Sequence, residues 1–106
     1  MKKILFICSE NCLRSPTAEK IFSRRTGIQA RSAGTNPQAI LPVNLELVEW
    51  ATMIVVMEKH HLDKLKKKFK PNITSKRVVC LNIPDDYEYM DKELIQLLKG
   101  RMARYF

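Results

Sequence analysis

Near its N-terminus the chain passes from the uninterrupted apolar run Ile4-Leu5-Phe6-Ile7, through a polar loop, to Pro16-Thr17-Ala18-Glu19. So short and solid a run suits a strand buried on both faces, which needs a layer of helix on either side of its sheet. Pro16 fits the first turn of a helix, where a missing N–H costs nothing. The loop between them then faces a helix N-terminus. Unpartnered backbone N–H groups and the positive end of the helix dipole converge there, a seat for an oxyanion of phosphate size.

The rest of the sequence repeats the alternation of strand and helix. A strand over 2–8 leads to a helix over about 16–26 that buries Ala18, Ile21 and Phe22, and then to a strand over 29–33. Ser32-Ala33-Gly34-Thr35 marks an exit turn, and Asn36, Pro37 and Pro42 break structure before a helix over about 43–51 with Val43, Leu47 and Trp50 on one face. A strand over 53–57 follows, then a lysine-rich helix over 58–69 ended by Pro71-Asn72, then a strand over 78–83. Pro84-Asp85-Asp86-Tyr87 forms a loop, and Asp91 caps a last helix that turns Leu94, Ile95, Leu98 and Met102 inward. The expected fold is α/β: a small three-layer sandwich with a four-stranded parallel sheet, helices on both faces and the phosphate-binding loop after strand one. Ligands of such sheets bind beyond the carboxyl ends of the strands, so Asp85 and the first loop meet at one edge.

That loop reads Cys8-Ser9-Glu10-Asn11-Cys12-Leu13-Arg14-Ser15, with five residues between Cys8 and Arg14. The field at the helix N-terminus favours a thiolate at Cys8, making the cradle a carrier of its own nucleophile. Arg14 brings a planar fork that can grip two phosphoryl oxygens, which a lysine cannot do. Asn11 tolerates a left-handed backbone and adds an amide side chain, which helps a tight loop keep its N–H groups pointed inward.

At 106 residues and 45% apolar composition the chain is expected to be one domain over 1–106 with a single modest core. Only five apolar residues precede Ser9 and Glu10, too few for the core of a signal peptide, and no later segment is expected to span a membrane. With three cysteines, an odd number, and no paired zinc spacing, reduced thiols in a cytoplasmic protein are expected. A net charge of +8 invites a nucleic-acid partner. Yet Leu62, Leu65 and Phe69 keep helical spacing through Lys64, Lys66, Lys67, Lys68 and Lys70, so the lysines read as a solvated face with no aromatic interleaving. Cys80 reads as a core thiol, His60 and His61 as solvated or capping residues rather than metal ligands, and one of Tyr87 and Tyr89 as packing on the last helix. Trp50 reads as core or cleft wall.

Taken in order, the loop, Ser15-Pro16, Ala18-Glu19, Ser32-Ala33-Gly34-Thr35 and an acid after Ile83-Pro84 resemble the low-molecular-weight protein tyrosine phosphatase family, and in particular a compact bacterial branch. The resemblance implies a cysteine-dependent phosphomonoester hydrolase that works through a cysteinyl-phosphate and needs neither metal nor organic cofactor. Cys8 is its nucleophile, Arg14 its phosphoryl clamp and Asp85 its general acid, with residues Ser9 to Ser15 as the phosphate cradle. Ser15 would donate to the thiolate, and Ser32 would support the loop by hydrogen bonding. Substrates would be a phosphorylated protein or a small aryl phosphate, with inorganic phosphate as product. Three positions depart from the family pattern: Glu10 replaces a usual glycine, Cys12-Leu13 displaces the second thiol by one place, and Asp86 replaces a proline. They leave open Asp86 as the acid, a protective Cys8–Cys12 disulfide, and two other functions on the same fold. Those are a non-catalytic anion-binding or regulatory module and a thiol-dependent arsenate reductase, the latter short of the further cysteines it would need.

Overall fold

The computed structural model describes residues 1–106. Strands β1 (Lys2–Cys8), β2 (Ile28–Gly34), β3 (Met53–Val56) and β4 (Arg77–Cys80) form one parallel sheet in the order β2-β1-β3-β4. Helices α1 (Arg14–Phe22), α2 (Leu45–Trp50), α3 (Lys59–Ile73) and α4 (Lys92–Met102) connect and cover it, and a short 3-10 turn spans Ala103–Tyr105. This is the expected three-layer sandwich.

The period of two along each strand sorts the apolar residues into two cores. Ile4, Phe6 and Cys8, with Met53 and Val55, face α1 and α4 and pack on Ala18, Phe22, Leu94, Leu98 and Met102. Leu5, Ile7, Ile54 and Val56 face α2 and α3 and pack on Leu47, Val48, Leu65, Phe69 and Ile73. Ile4 through Ile7 are fully buried, each contributing about 1.5–3 kcal/mol of apolar transfer. This double burial fixes β1 at the centre of the sheet, so the loop that leaves it has a rigid base.

Element ends depart from the sequence reading for local reasons. Helix α1 begins at Arg14 and stops at Phe22, short of residue 26, because the chain must turn through Gly27 at φ +85 to let Lys2 N–H bond the Gly27 carbonyl at 2.9 Å. Helix α3 does not end at Pro71. It bends at Phe69 (φ −129) and continues to Ile73, whose burial in the second core holds the last turn in place. The bend relieves the clash of the Pro71 ring with the preceding turn. β4 ends at Cys80 rather than residue 83, since Asn82 adopts φ +55. Pairing nevertheless resumes, with Leu81 N–H on the Val56 carbonyl at 3.0 Å and Ile83 N–H on the Met57 carbonyl at 2.8 Å. Asp91 caps α4 as expected, accepting from Glu93 N–H at 2.8 Å. Ile95 is only half-buried there, and Leu97 joins the packing instead.

The lysines of α3 all point to solvent while Leu65 and Phe69 are buried, the solvated face expected. No helix is long and apolar enough to cross a membrane. Cys80 is a correction: its thiol is half-buried at the edge of the second core and donates to Asn82 Oδ1 at 3.3 Å. Trp50 is half-buried at the other edge of the sheet, under the Arg31 guanidinium at 4.5 Å, and walls no part of the phosphate loop. Tyr87 packs on the first core, whereas Tyr89 is exposed.

Candidate active site

Because all strands run parallel, their carboxyl ends deliver Cys8, Gly34, Glu58 and Ile83 to one edge of the sheet. The segment after Cys8 curls back through Asn11, a left-handed residue at φ +57, and enters α1 at Arg14. Leu13, at the N-cap position of α1, makes no side-chain cap bond, so first-turn N–H groups are left for an anion. Gly34 supports the loop from behind: a Cβ there would lie 2.5 Å from the Ser9 carbonyl oxygen and 3.1 Å from the Asn11 nitrogen. Thr35 N–H bonds the Cys8 carbonyl at 2.9 Å and Asn36 N–H the Ser9 carbonyl at 3.0 Å, so the Ser32-Ala33-Gly34-Thr35 turn seats the loop through its backbone.

Cys8 is buried, and its Sγ lies 3.0 Å from Ser15 Oγ. Asn11 Nδ2 donates to the same Ser15 oxygen at 3.0 Å, leaving the Ser15 hydrogen for the sulfur or for the more distant Ala33 carbonyl at 3.4 Å. A hydroxyl so placed follows the charge on sulfur. It donates to a thiolate and can turn to Ala33 when the sulfur no longer accepts. Ser32 is a correction: its hydroxyl donates to Glu19 on α1, and the contact from β2 into the loop comes instead from the Ala33 carbonyl.

Arg14 is 2% exposed despite its charge. Its Nη1 donates to the Glu58 carboxylate and to the Ile83 carbonyl at 2.7 Å, while Nε lies 3.6 Å from Asp85 Oδ1. With Nη1 committed to the protein, Nε and Nη2 form the free fork of the guanidinium. The hydrogen bond from Arg14, followed by its positive charge and by His60, holds the Glu58 carboxyl below its ordinary range, against the opposing effect of burial. Asp85 and Glu10 line the same concavity as Cys8, Ser9, Cys12, Leu13 and Arg14; Asp86 is exposed and outside it. Glu10 is held at the rim by the Asn36 amide, whose oxygen takes Lys64 Nζ at 3.3 Å. Desolvation in the loop, then the charges of Cys8, Asp85 and Glu10, push the Cys12 thiol up against the pull of Arg14.

His61 is fully buried, unlike exposed His60. Its Nδ1 accepts the Glu58 N–H at 3.0 Å and its Nε2 lies 2.9 Å from Ser9 Oγ. Burial, then the neighbouring His60, Arg14 and Lys64, lower its pKa to about 3, with Glu58 opposing, so the ring is neutral. Glu58, His60 and His61 bring three ligand atoms within 4.8 Å of one another. Both nitrogens of His61 are already engaged and Glu58 is paired with Arg14, which suits a structural cap better than a metal ion.

Glu58, His61 and the Ile83 carbonyl were not among the expected site residues. A carboxylate directly after a buried strand, at the same edge as the loop, was the available signal for Glu58. Thr17 is another such residue: it donates to the Leu13 carbonyl at 2.7 Å and accepts Met90 N–H at 2.9 Å, tying the segment after Asp85 to the base of the loop helix.

The family model of low molecular weight phosphotyrosine protein phosphatase matches residues 3–46, from β1 to the start of α2 and across the whole phosphate loop. Over these residues, which include the whole loop, the chain is similar to that family. Solved structures carry the resemblance over the remaining strands and helices as a likeness of fold. Vibrio vulnificus Wzb in complex with benzylphosphonate superposes with a TM-score of 0.81 at 19% identity, over 98% of this chain and 96% of that one. The low molecular weight protein tyrosine phosphatase SP-PTP from Streptococcus pyogenes gives 0.80 at 15% identity, over 100% and 94%. The YwlE arginine phosphatase from Geobacillus stearothermophilus gives 0.76 at 20% identity, over 99% and 92%. A search of curated protein sequences found no match.

Proposed function

We propose that residues 1–106 form one low-molecular-weight phosphatase domain that hydrolyses phosphomonoesters of the phosphotyrosine type through a cysteinyl-phosphate intermediate. The observation that carries this reading is the convergence of Cys8, the free fork of Arg14 and Asp85 on one concavity at a helix N-terminus. The Cys8 thiolate attacks phosphorus in line as the ester P–O bond breaks, and Asp85 in its acid form gives its proton to the leaving oxygen. Arg14 Nε and Nη2 and the loop N–H groups hold the equatorial oxygens. Water then attacks phosphorus as the S–P bond breaks, yields its proton to Asp85, and releases inorganic phosphate and the thiolate. The three side chains and the loop amides suffice for this cycle. Its reduced thiols fit a cytoplasmic setting.

A second substrate, phosphoarginine, is favoured by one observation. The concavity has no aromatic side chain to stack a phenol, and it carries two carboxylates, Glu10 and Asp85, that could receive a guanidinium leaving group. The test is hydrolysis of phosphotyrosine and phosphoarginine peptides by the reduced protein, beside Cys8→Ser and Asp85→Asn. Turnover abolished by the first change and slowed about 100-fold by the second supports the mechanism. Vanadate binding without turnover of either peptide favours the non-catalytic anion-binding module, and arsenate reduction coupled to a thiol donor favours the reductase.

A further inference from the structure

We propose that the Ser9 side chain is a phosphoryl-oxygen donor in addition to the loop N–H groups, and that His61 is the positioning residue that orients it. The inference rests on the phosphate-binding reading of the loop but does not require turnover.

The hydrogen positions follow from which groups can only donate. The Glu58 main-chain N–H can only donate, so His61 Nδ1, 3.0 Å away, carries no proton. A neutral ring with a bare Nδ1 has its hydrogen on Nε2. That hydrogen points at Ser9 Oγ, 2.9 Å away, making Ser9 the acceptor of this bond. His61 is fully buried and faces His60, the cations Arg14 and Lys64 and the Glu58 carboxylate, so it keeps this tautomer through the neutral pH range.

The consequence falls on Ser9. With its oxygen accepting from His61, its own hydroxyl hydrogen is free to donate elsewhere, and His61 is the single protein hydrogen-bond partner of that oxygen. Ser9 lines the concavity beside Cys8 and Arg14, where the equatorial phosphoryl oxygens would sit. Had the ring carried its hydrogen on Nδ1, Ser9 would be obliged to donate to Nε2 and could not serve the anion. The cap of α3 therefore selects a donor in the loop after β1. A donor that has itself accepted a hydrogen bond is polarised, and it strengthens as negative charge accumulates on its target.

The experiment is titration of the protein with inorganic phosphate and with vanadate by calorimetry, together with nitrogen-15 NMR of the His61 ring. Ser9→Ala should weaken both anions about tenfold or more, the usual effect of one hydrogen bond to a charged group, while Ser9→Thr retains affinity. His61→Phe keeps the ring volume and should show a similar loss, but none further in the Ser9→Ala background. In the unaltered protein the NMR spectrum should show a hydrogen on Nε2 and a shift of that signal on phosphate binding. Because His61→Phe removes a helix cap and can compromise folding, the Ser9 variants and the NMR tautomer decide the question independently. Unchanged affinity in Ser9→Ala, or a hydrogen on Nδ1, overturns the proposal. If the Ser9 effect appears in a protein that hydrolyses neither peptide, the inference stands and the hydrolase reading falls.

Discussion

Arg14 and Glu58 form an ion pair across the base of the phosphate loop, with the arginine 2% exposed and the carboxylate on the far side of the guanidinium from the Nε and Nη2 fork. A long cationic side chain ordinarily spends conformational entropy each time it grips a ligand. Here the pair and the Ile83 carbonyl hold the fork in place beforehand, so little ordering remains when an anion arrives.

Glu58→Gln retains the shape of the pair and removes its charge, and Glu58→Ala removes both. Phosphate affinity and kcat/KM should fall about 10-fold in the first and approach 100-fold in the second, the range in which misplaced catalytic groups act. Phosphate titration with a circular dichroism melt of each variant checks this. A Glu58→Ala protein that folds and binds phosphate normally would show that Ile83 alone suffices.

Asp85 and Asp86 are adjacent in sequence but differ in reach. Asp85 Oδ1 is 3.6 Å from Arg14 Nε and lines the concavity, while Asp86 faces solvent. Asp85→Asn should lower kcat about 100-fold on an ester with a phenol-like leaving group, and much less on one with a nitrophenol, which leaves without protonation. Asp86→Asn should leave both rates within twofold. Equal loss in the two variants would exchange or share their roles.

Much of this arrangement was legible in the chain itself. The solid run Ile4 to Ile7 and the position of Pro16 suffice to place a loop at a helix N-terminus, because strand burial and helix entry are local properties. Cys8, Arg14 and Asp85 follow from chemistry and resemblance. Glu58 and His61 were hidden because their roles depend on the register of β3 against β1, which pairs Ile7 with Val56 and brings the start of α3 under the loop. Sequence spacing alone does not give that distance. Ser32 misled for a related reason: a hydroxyl beside the turn is compatible with either neighbour, and the packing of α1 on β2 supplied Glu19. The continuation of α3 past Pro71 likewise reflects the burial of Ile73, a tertiary gain that outweighs a local break.

Acid should destabilise the fold through His61. Its pKa in the folded protein is lowered to about 3 from an ordinary 6.5, so below pH 6.5 the unfolded chain takes up a proton that the folded protein refuses. Stability is full well above 6.5 and declines as pH falls toward 3; between pH 6.5 and 4.5 the loss from this group is about 2 kcal/mol. Glu58, whose carboxyl is held below its ordinary range, adds a loss of the same sign at lower pH. Urea denaturation at pH 7.5 and pH 4.5 should show this slope, and His61→Phe should flatten it even where its stability at neutral pH is reduced. A pH-independent midpoint in the unaltered protein would contradict the buried neutral ring.

Gly34 separates the stability of the fold from the geometry of the site. A methyl group there would meet the Ser9 carbonyl oxygen at 2.5 Å, the Ala39 Cβ at 2.6 Å and the Asn11 nitrogen at 3.1 Å. Two of these three neighbours are backbone atoms of the phosphate loop, which cannot swing aside as a flexible side chain would. Gly34 is also fixed by hydrogen bonds of 2.8 Å to Leu41 and Val43, so the strain passes into the loop. Gly34→Ala should cost about 2 kcal/mol, as overpacking does. Leu98→Ala, in the core under α4, should cost about 2–5 kcal/mol by leaving a cavity remote from the loop. The two should part in function: Leu98→Ala, where folded, binds phosphate with unchanged affinity, whereas Gly34→Ala weakens phosphate at least tenfold because the cradle N–H groups no longer converge. Denaturation curves paired with phosphate titrations read both quantities, and normal affinity in Gly34→Ala would mean that the loop can shift without losing its grip on the anion.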